Sequence, residues 1–198
     1  MKGKIIQSIT PQQKMVAVNN RFGNVNIKGQ QGSTRVLFDS LDLGSTTELR
    51  FFENSGSKQW PLTNIGAEGN RLNVGDTFVV QKIYFGIAEV NADTGQITKF
   101  YPGLNNVPGL FMGEYSFQIA NSQVIKQLPL SMFWDATLNP TSVNQQDVAF
   151  ETFTDIVIPP LLEYVLTVRL AQPVSQANYK LFCFLEGSAG IIAPQTTF

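Results

Sequence analysis

Apolar and polar residues alternate with a period of two along much of the chain. Tyr115, Phe117 and Ile119 alternate with Glu114, Ser116 and Gln118. Leu162, Tyr164, Leu166, Val168 and Leu170 alternate with Glu163, Thr167 and Arg169, and Tyr179, Leu181, Cys183 and Leu185 repeat the spacing near the end. Val124, Leu128, Leu130 and Met132 are read as one further face. A strand sends alternate side chains to opposite sheet faces, so this period predicts strands with one buried and one wet side. Thr77–Val90 is apolar on both faces and predicts a central strand covered on both sides, with a bend or bulge near Gly86.

Turn chemistry separates these segments. Asn91-Ala-Asp-Thr-Gly95 predicts a hairpin loop with Gly95 in the left-handed position. Asn54-Ser-Gly-Ser57 predicts a second one, between Leu49–Phe52 and Gln59–Leu62. Helix signals are few, and short helical turns are expected only at Ser122–Gln127 and Val143–Phe150. About eight strands, spaced roughly 8–20 residues apart, predict an all-β fold, an antiparallel β-sandwich or barrel.

Charge divides the chain in two. Lys2, Lys4, Lys14, Arg21, Lys28 and Arg35 fall within residues 1–38 and no acid precedes Asp39, so that segment is +6. The remaining 160 residues carry 8 bases and 15 acids, or −7. The division predicts a basic N-terminal arm over 1–38 and a sandwich domain over 39–198. Such an arm either lies on the acidic body of a neighbouring copy, touches nucleic acid weakly through phosphates, or is a solvated tail. The stretch 100–113 holds Pro-Gly-Leu twice and no charge after Phe100. Tyr101, Pro102, Leu104, Pro108, Leu110 and Phe111 make it either a contact loop for another subunit or a piece of the domain's own core.

Composition removes whole classes of chemistry. The chain has no histidine and one cysteine. That excludes Ser-His-Asp and Cys-His catalysis, His-ligated metal sites and an intramolecular disulfide. Phosphate-loop and dinucleotide motifs are missing, and Asn91–Gly95 lacks the later acids of a calcium loop. No metal and no cofactor is expected. Paired carboxylates need no histidine, and Glu48, Glu53, Glu114 and Glu163 are the acids to consider, but alternation places Glu114 and Glu163 on polar faces. An enzyme is therefore not expected. Exposed aromatics offer an alternative role: Trp60, Trp134, Tyr84 and Tyr101 suit a carbohydrate-binding or receptor-binding face. The basic start is followed by no apolar run of leader length, and no stretch reaches the ~18 apolar residues of a membrane helix. Synthesis in the cytoplasm with no membrane span is the expectation.

Charged residues make up 15% of the chain, against roughly 25% in an ordinary soluble protein, and 31 Asn and Gln residues take their place. Uncharged polar side chains keep a monomer soluble yet lower the cost of burying its surface against another copy.

Within this pattern the chain resembles the jelly-roll structural proteins of viruses and bacteriophages. Thr154–Leu170, with Pro159-Pro160 between two apolar strands, is similar to a late-strand pattern of coat proteins. Tyr179–Gly190 is similar to the last strand of such sandwiches, and Phe51–Asn54 with Trp60–Asn64 is similar to early hairpins of phage capsid proteins. The resemblance implies a single jelly roll that self-assembles into a shell or decorates one, as a major or auxiliary capsid subunit. It implies copies of itself and other capsid proteins as partners, no catalytic residues, and a place in the virion.

Overall fold

The computed structural model describes residues 30–53, 58–66, 69–134, 149–174, 176 and 178–192. Among them run nine strands: β1 (Gln30–Asp42), β2 (Glu48–Phe51), β3 (Thr77–Val90), β4 (Ile97–Pro102), β5 (Glu114–Ile119), β6 (Ser122–Pro129), β7 (Phe150–Ile158), β8 (Tyr164–Arg169) and β9 (Tyr179–Ile192). Every strand pairing is antiparallel. The larger sheet runs β1-β9-β3, and the far edge of β3 is shared by β7 and β4. β7 pairs Phe78–Ile83, and β4 pairs Gly86–Val90. The smaller sheet runs β2-β8-β5-β6. The two pack face to face as a β-sandwich, the class the alternation predicts.

The filling between the sheets follows from the period of two. Leu37, Ile83, Phe85, Ile87, Leu181, Cys183 and Leu185 point inward from the larger sheet; Leu49, Phe51, Tyr115, Phe117, Leu166 and Val168 do so from the smaller. Phe85 stands at the centre, its ring 4.8 Å from Phe133, 5.9 Å from Tyr115 and 6.1 Å from Phe51. These are edge-on arrangements that add to plain burial. β3 is central and covered on both sides, as its sequence predicts. Its register breaks lie at Val80/Lys82 and Glu89/Val90, away from Gly86. Gly86 instead lies beneath the Phe100 ring, which occupies the space a Cβ would need.

Other expectations shift. Gln59–Leu62 forms no strand, and β2 pairs with β8 (the turn at 54–57 lies outside the described residues). Ser122–Gln127 is strand, because the tight Ala120–Asn121 turn returns it along β5. Only Ile125 of β6 is deeply buried, and Val124 faces out; Met132 lies beyond the strand in a 3-10 turn, Leu130–Phe133, which turns Leu130 and Phe133 inward and leaves Met132 exposed. Residues 143–148 lie outside the description, and Phe150 opens β7. β1 begins at Gln30, so the boundary expected after residue 38 falls inside it; Leu37 and Phe38 are apolar enough to be taken into the sheet despite the basic flank.

Candidate interaction surfaces

The outer face of the larger sheet carries an aromatic ladder. Phe184 lies directly between Phe38 of β1 and Tyr84 of β3 in the strand register. It stacks on Tyr84 at 4.7 Å and leans on Phe38 at 5.6 Å. One pair further on, Phe182 faces Gly86, and Phe100 crosses that gap edge-on to Phe182 at 5.8 Å. Phe38, Tyr84 and Phe182 are buried by this mutual cover. Burial followed by nearby Glu186 and Cys183 pushes the Tyr84 hydroxyl up to about 12. Trp60, 76% exposed, caps the ladder with its edge against Phe38 at 5.7 Å.

Residues 58–65 form a strap that covers the open edge of β1. Asn64 Oδ1 accepts from the Phe38 N–H at 2.7 Å, and Asn64 Nδ2 donates to the Val36 carbonyl at 2.5 Å. Thr63 Oγ1 donates to the Phe38 carbonyl at 2.9 Å, and Ser40 Oγ donates to the Leu62 carbonyl at 2.7 Å. An uncovered edge is a template for pairing with another chain. The strap is anchored by a buried ion pair. Asp39, fully buried, accepts from the Phe52 N–H at 2.7 Å and from Lys58 Nζ at 2.8 Å; Lys58 Nζ also donates to the Ser40 carbonyl at 2.6 Å. Cys183 faces Asp39 in the register, and its thiol is pushed well up, first by burial and then by that carboxylate.

Of the basic positions expected in the arm, Lys2, Lys4, Lys14, Arg21 and Lys28 lie outside the described residues. Arg35 lies on β1 and pairs with Asp76 at 3.6 Å. The expected contact loop divides. Leu104 and Leu110 are fully buried in the sandwich core, and Tyr101 packs on that core beneath Lys99, whose ammonium sits 4.7 Å from the ring centre. Pro102 is half-buried. Pro108 is exposed at the start of a single 3-10 turn, Pro108–Leu110. Phe111 is exposed and lies edge-on to the half-buried Trp134 at 5.7 Å. Met112, next in the chain, and Met132 are exposed as well.

Three of the four candidate acids are held by arginines. Glu53 pairs with Arg50 at 2.6 Å, Glu48 with Arg169 at 3.3 Å, and Glu163 with Arg71. Glu114 is half-buried at the margin of a cleft. Among the described residues no three His, Cys, Asp or Glu side chains gather as a metal site. The Asn91 side-chain oxygen accepts from the N–H groups of Asp93 and Thr94, and Gly95 takes φ 68°, so the residues expected to turn there do so.

Two clefts open at the ends of the smaller sheet. The first, about 570 Å³, lies where the ends of β2 and β8 meet the β5–β6 turn and is lined by Arg50, Glu53, Asn70, Arg71, Gln118 and Asn121, with Leu161 and Leu162 at its rim. The second, about 390 Å³, is walled by Met112, Pro129, Leu170 and Ala171, with Glu114 and Arg169 beside them. A third feature stands on β7. The pairing passes from Val80 opposite Ile156 to Lys82 opposite Glu151, so Gln81 alone faces the four residues Thr152–Asp155. Thr152 Oγ1 ties the base of this bulge to the Val80 carbonyl at 3.1 Å, and Phe153 projects from it 93% exposed.

No family model and no curated protein matches the chain. Among the described residues no helix is long and apolar enough to cross a membrane. Sequence reading missed the ladder and the bulge. The ladder has a signal: in β9, Phe182 and Phe184 fill the face opposite Leu181, Cys183 and Leu185, so both faces are apolar. The bulge has none, because its extra residues are visible only against β3.

Proposed function

We propose that the chain is a non-enzymatic structural subunit of a virion, a single jelly roll that assembles with copies of itself and other shell proteins. The strand order carries the reading. With β4 set aside, the chain pairs first with last and works inward: β1 with β9, β2 with β8, β3 with β7, β5 with β6. That nesting is what a long hairpin of eight strands makes when rolled into two sheets, the arrangement of viral capsid and lectin domains. β4 is then an insertion between the third and fourth strands of the roll.

Fold alone assigns no role, and the surface supplies the second support. Large apolar side chains project from separate elements: Trp60 from the strap, Phe111 and Met112 at one end, Phe153 from β7. A shell subunit needs contacts on several flanks, and scattered apolar anchors in a weakly charged surface suit that need. In this reading the basic residues before β1 reach an acidic neighbour or the packaged nucleic acid. Mass photometry of the purified chain is expected to show concentration-dependent assembly. A strict monomer at high concentration, in low and moderate salt alike, refutes the proposal.

The polar cleft supports a second reading, a glycan-binding module. Paired Arg and Glu groups with Asn70, Gln118 and Asn121 offer both donors and acceptors to hydroxyls. Of the four aromatics suggested by sequence, Trp60 alone stands largely free, so stacking contributes little. A glycan array separates the readings: specific binding abolished by Asn70→Ala favours the module.

A further inference from the structure

We infer that the cleft where the ends of β2 and β8 meet the β5–β6 turn takes an uncharged saccharide and discriminates against acidic ones, with Leu161 as the platform for the sugar ring. The inference rests on the glycan-binding reading of that cleft and names its ligand class.

Backbone strain gathers here. Among the described residues five non-glycine residues have left-handed backbone, and three of them belong to this place: Ala120 at φ 48° and Leu161 at φ 62° line the cleft, and Phe52 at φ 73° adjoins its Glu53. A residue with a Cβ adopts that conformation at a cost that glycine avoids. Leu161 recovers none of it through burial, being 56% exposed. A strained backbone that presents an apolar side chain to solvent, at the rim of a polar cleft, points to a use for that side chain outside the core.

The cleft is shaped before any ligand arrives. The Leu161 N–H donates to the Leu72 carbonyl at 2.9 Å, the Tyr164 N–H to the Asn70 carbonyl at 3.1 Å, and the Ala120 N–H to the Glu163 carbonyl at 2.7 Å. Gln118 Nε2 donates to the Ala120 carbonyl at 2.7 Å. These bonds stitch three distant segments into one frame. The buried rings of Phe52 and Tyr164, next in the chain to Glu53 and Glu163, pack 5.4 Å apart and fix the backbone of both acids. A site set in advance spends little of its binding free energy on ordering.

Charge selects the ligand. The lining holds two bases and two acids, already matched: Arg50 with Glu53 at 2.6 Å, and Arg71 with Glu163. Glu48 also approaches Arg50, at 3.7 Å. An anion would have to displace one of these carboxylates and lie beside the others, so a negative ligand is disfavoured. A hydroxyl both donates and accepts. It bridges a guanidinium N–H and a carboxylate oxygen without separating them, and the side chains of Asn70 and Asn121 offer further donors and acceptors. Leu161 and Leu162 supply an aliphatic rim for the C–H face of the ring. The volume, about 570 Å³, lies within the roughly 300–1,000 Å³ of small-molecule sites.

The test sets neutral glycans beside their sialylated or uronate-bearing counterparts on an array, and titrates the best pair by calorimetry with the full-length chain. The neutral member is expected to bind at least about tenfold more tightly. Glu163→Gln leaves Arg71 without its carboxylate; the pair is exposed and contributes little stability, so the variant folds. Its preference is expected to move about tenfold toward the acidic member. Leu161→Gly relieves the left-handed strain, and is expected to weaken binding about tenfold while the unfolding midpoint holds or rises. Tighter binding of acidic glycans by the wild type, an unmoved preference in Glu163→Gln, or undiminished binding by Leu161→Gly overturns the inference while glycan binding itself stands. An array with no specific binding at all overturns both.

Discussion

Replacing Lys58 with Met tests the anchor of the strap. Asp39 is fully buried, whereas the Lys58 side chain is 20% exposed. Lys58→Met keeps most of the aliphatic length and removes only the cation. One carboxylate oxygen then loses its donor at 2.8 Å, while the other keeps the Phe52 N–H at 2.7 Å. Breaking a buried pair from one side costs about 3–5 kcal/mol, because the remaining charge stays uncompensated. The partial exposure of Lys58 lets water approach, so the low end, about 3 kcal/mol, is expected. Asp39→Asn retains an acceptor for Phe52 and loses the charge, for about 1.5–3 kcal/mol. The double variant is expected to cost about 2 kcal/mol less than the sum, since neither change leaves a lone buried ion once both are made. Against a typical domain stability of about 5–15 kcal/mol these losses are large. Urea unfolding reads them as a fall in midpoint at constant slope. A Lys58→Met midpoint equal to wild type, or costs that simply add, refutes the claim that the pair holds the strap. Release of the strap also uncovers the β1 edge, so Lys58→Met is expected to aggregate faster near its midpoint than Asp39→Asn with the same residual stability.

Gly187 sits where β3 bulges, and a Cβ there would overlap the Val79 carbonyl oxygen, a backbone atom that cannot swing aside. Gly187→Ala is expected to lower the unfolding midpoint severely or leave no soluble protein; a thermal melt within a few degrees of wild type would contradict this. Tyr84 ionises near pH 12 in the folded chain and near 10.0 when unfolded, so the folded state holds its proton longer. That contribution is complete below pH 10 and is lost as pH rises from 10 to 12. Phenolate absorbance in wild type against Tyr84→Phe checks it, and a Tyr84 signal rising at the unfolded value would count against the buried ladder.

The central strand was legible from one observation, that Thr77–Val90 is apolar on both faces, and β3 lies between β9 and β7/β4 as expected. The Asn91–Gly95 turn was legible because its local hydrogen bonds need nothing distant. Ser122–Gln127 misled because its single deeply buried residue, Ile125, falls out of step with the face read through Val124 and Leu128, and only pairing with β5 makes it a strand. The contact loop misled in part for a related reason. Leu104 and Leu110 look like Pro108 and Phe111 in sequence, and which of them turns inward depends on what lies beneath them.

Local alternation, turn residues and the absence of histidine determined the all-β class, the positions of most strands and the exclusion of histidine chemistry. Each of those depends on a residue and its near neighbours. The tertiary structure alone decided the nested strand order, the strap over β1, the four residues of β7 that face Gln81, and the meeting of elements around each cleft. All of these join segments far apart in the chain, and a period-two pattern says which face a side chain takes but not which strand will lie beside it.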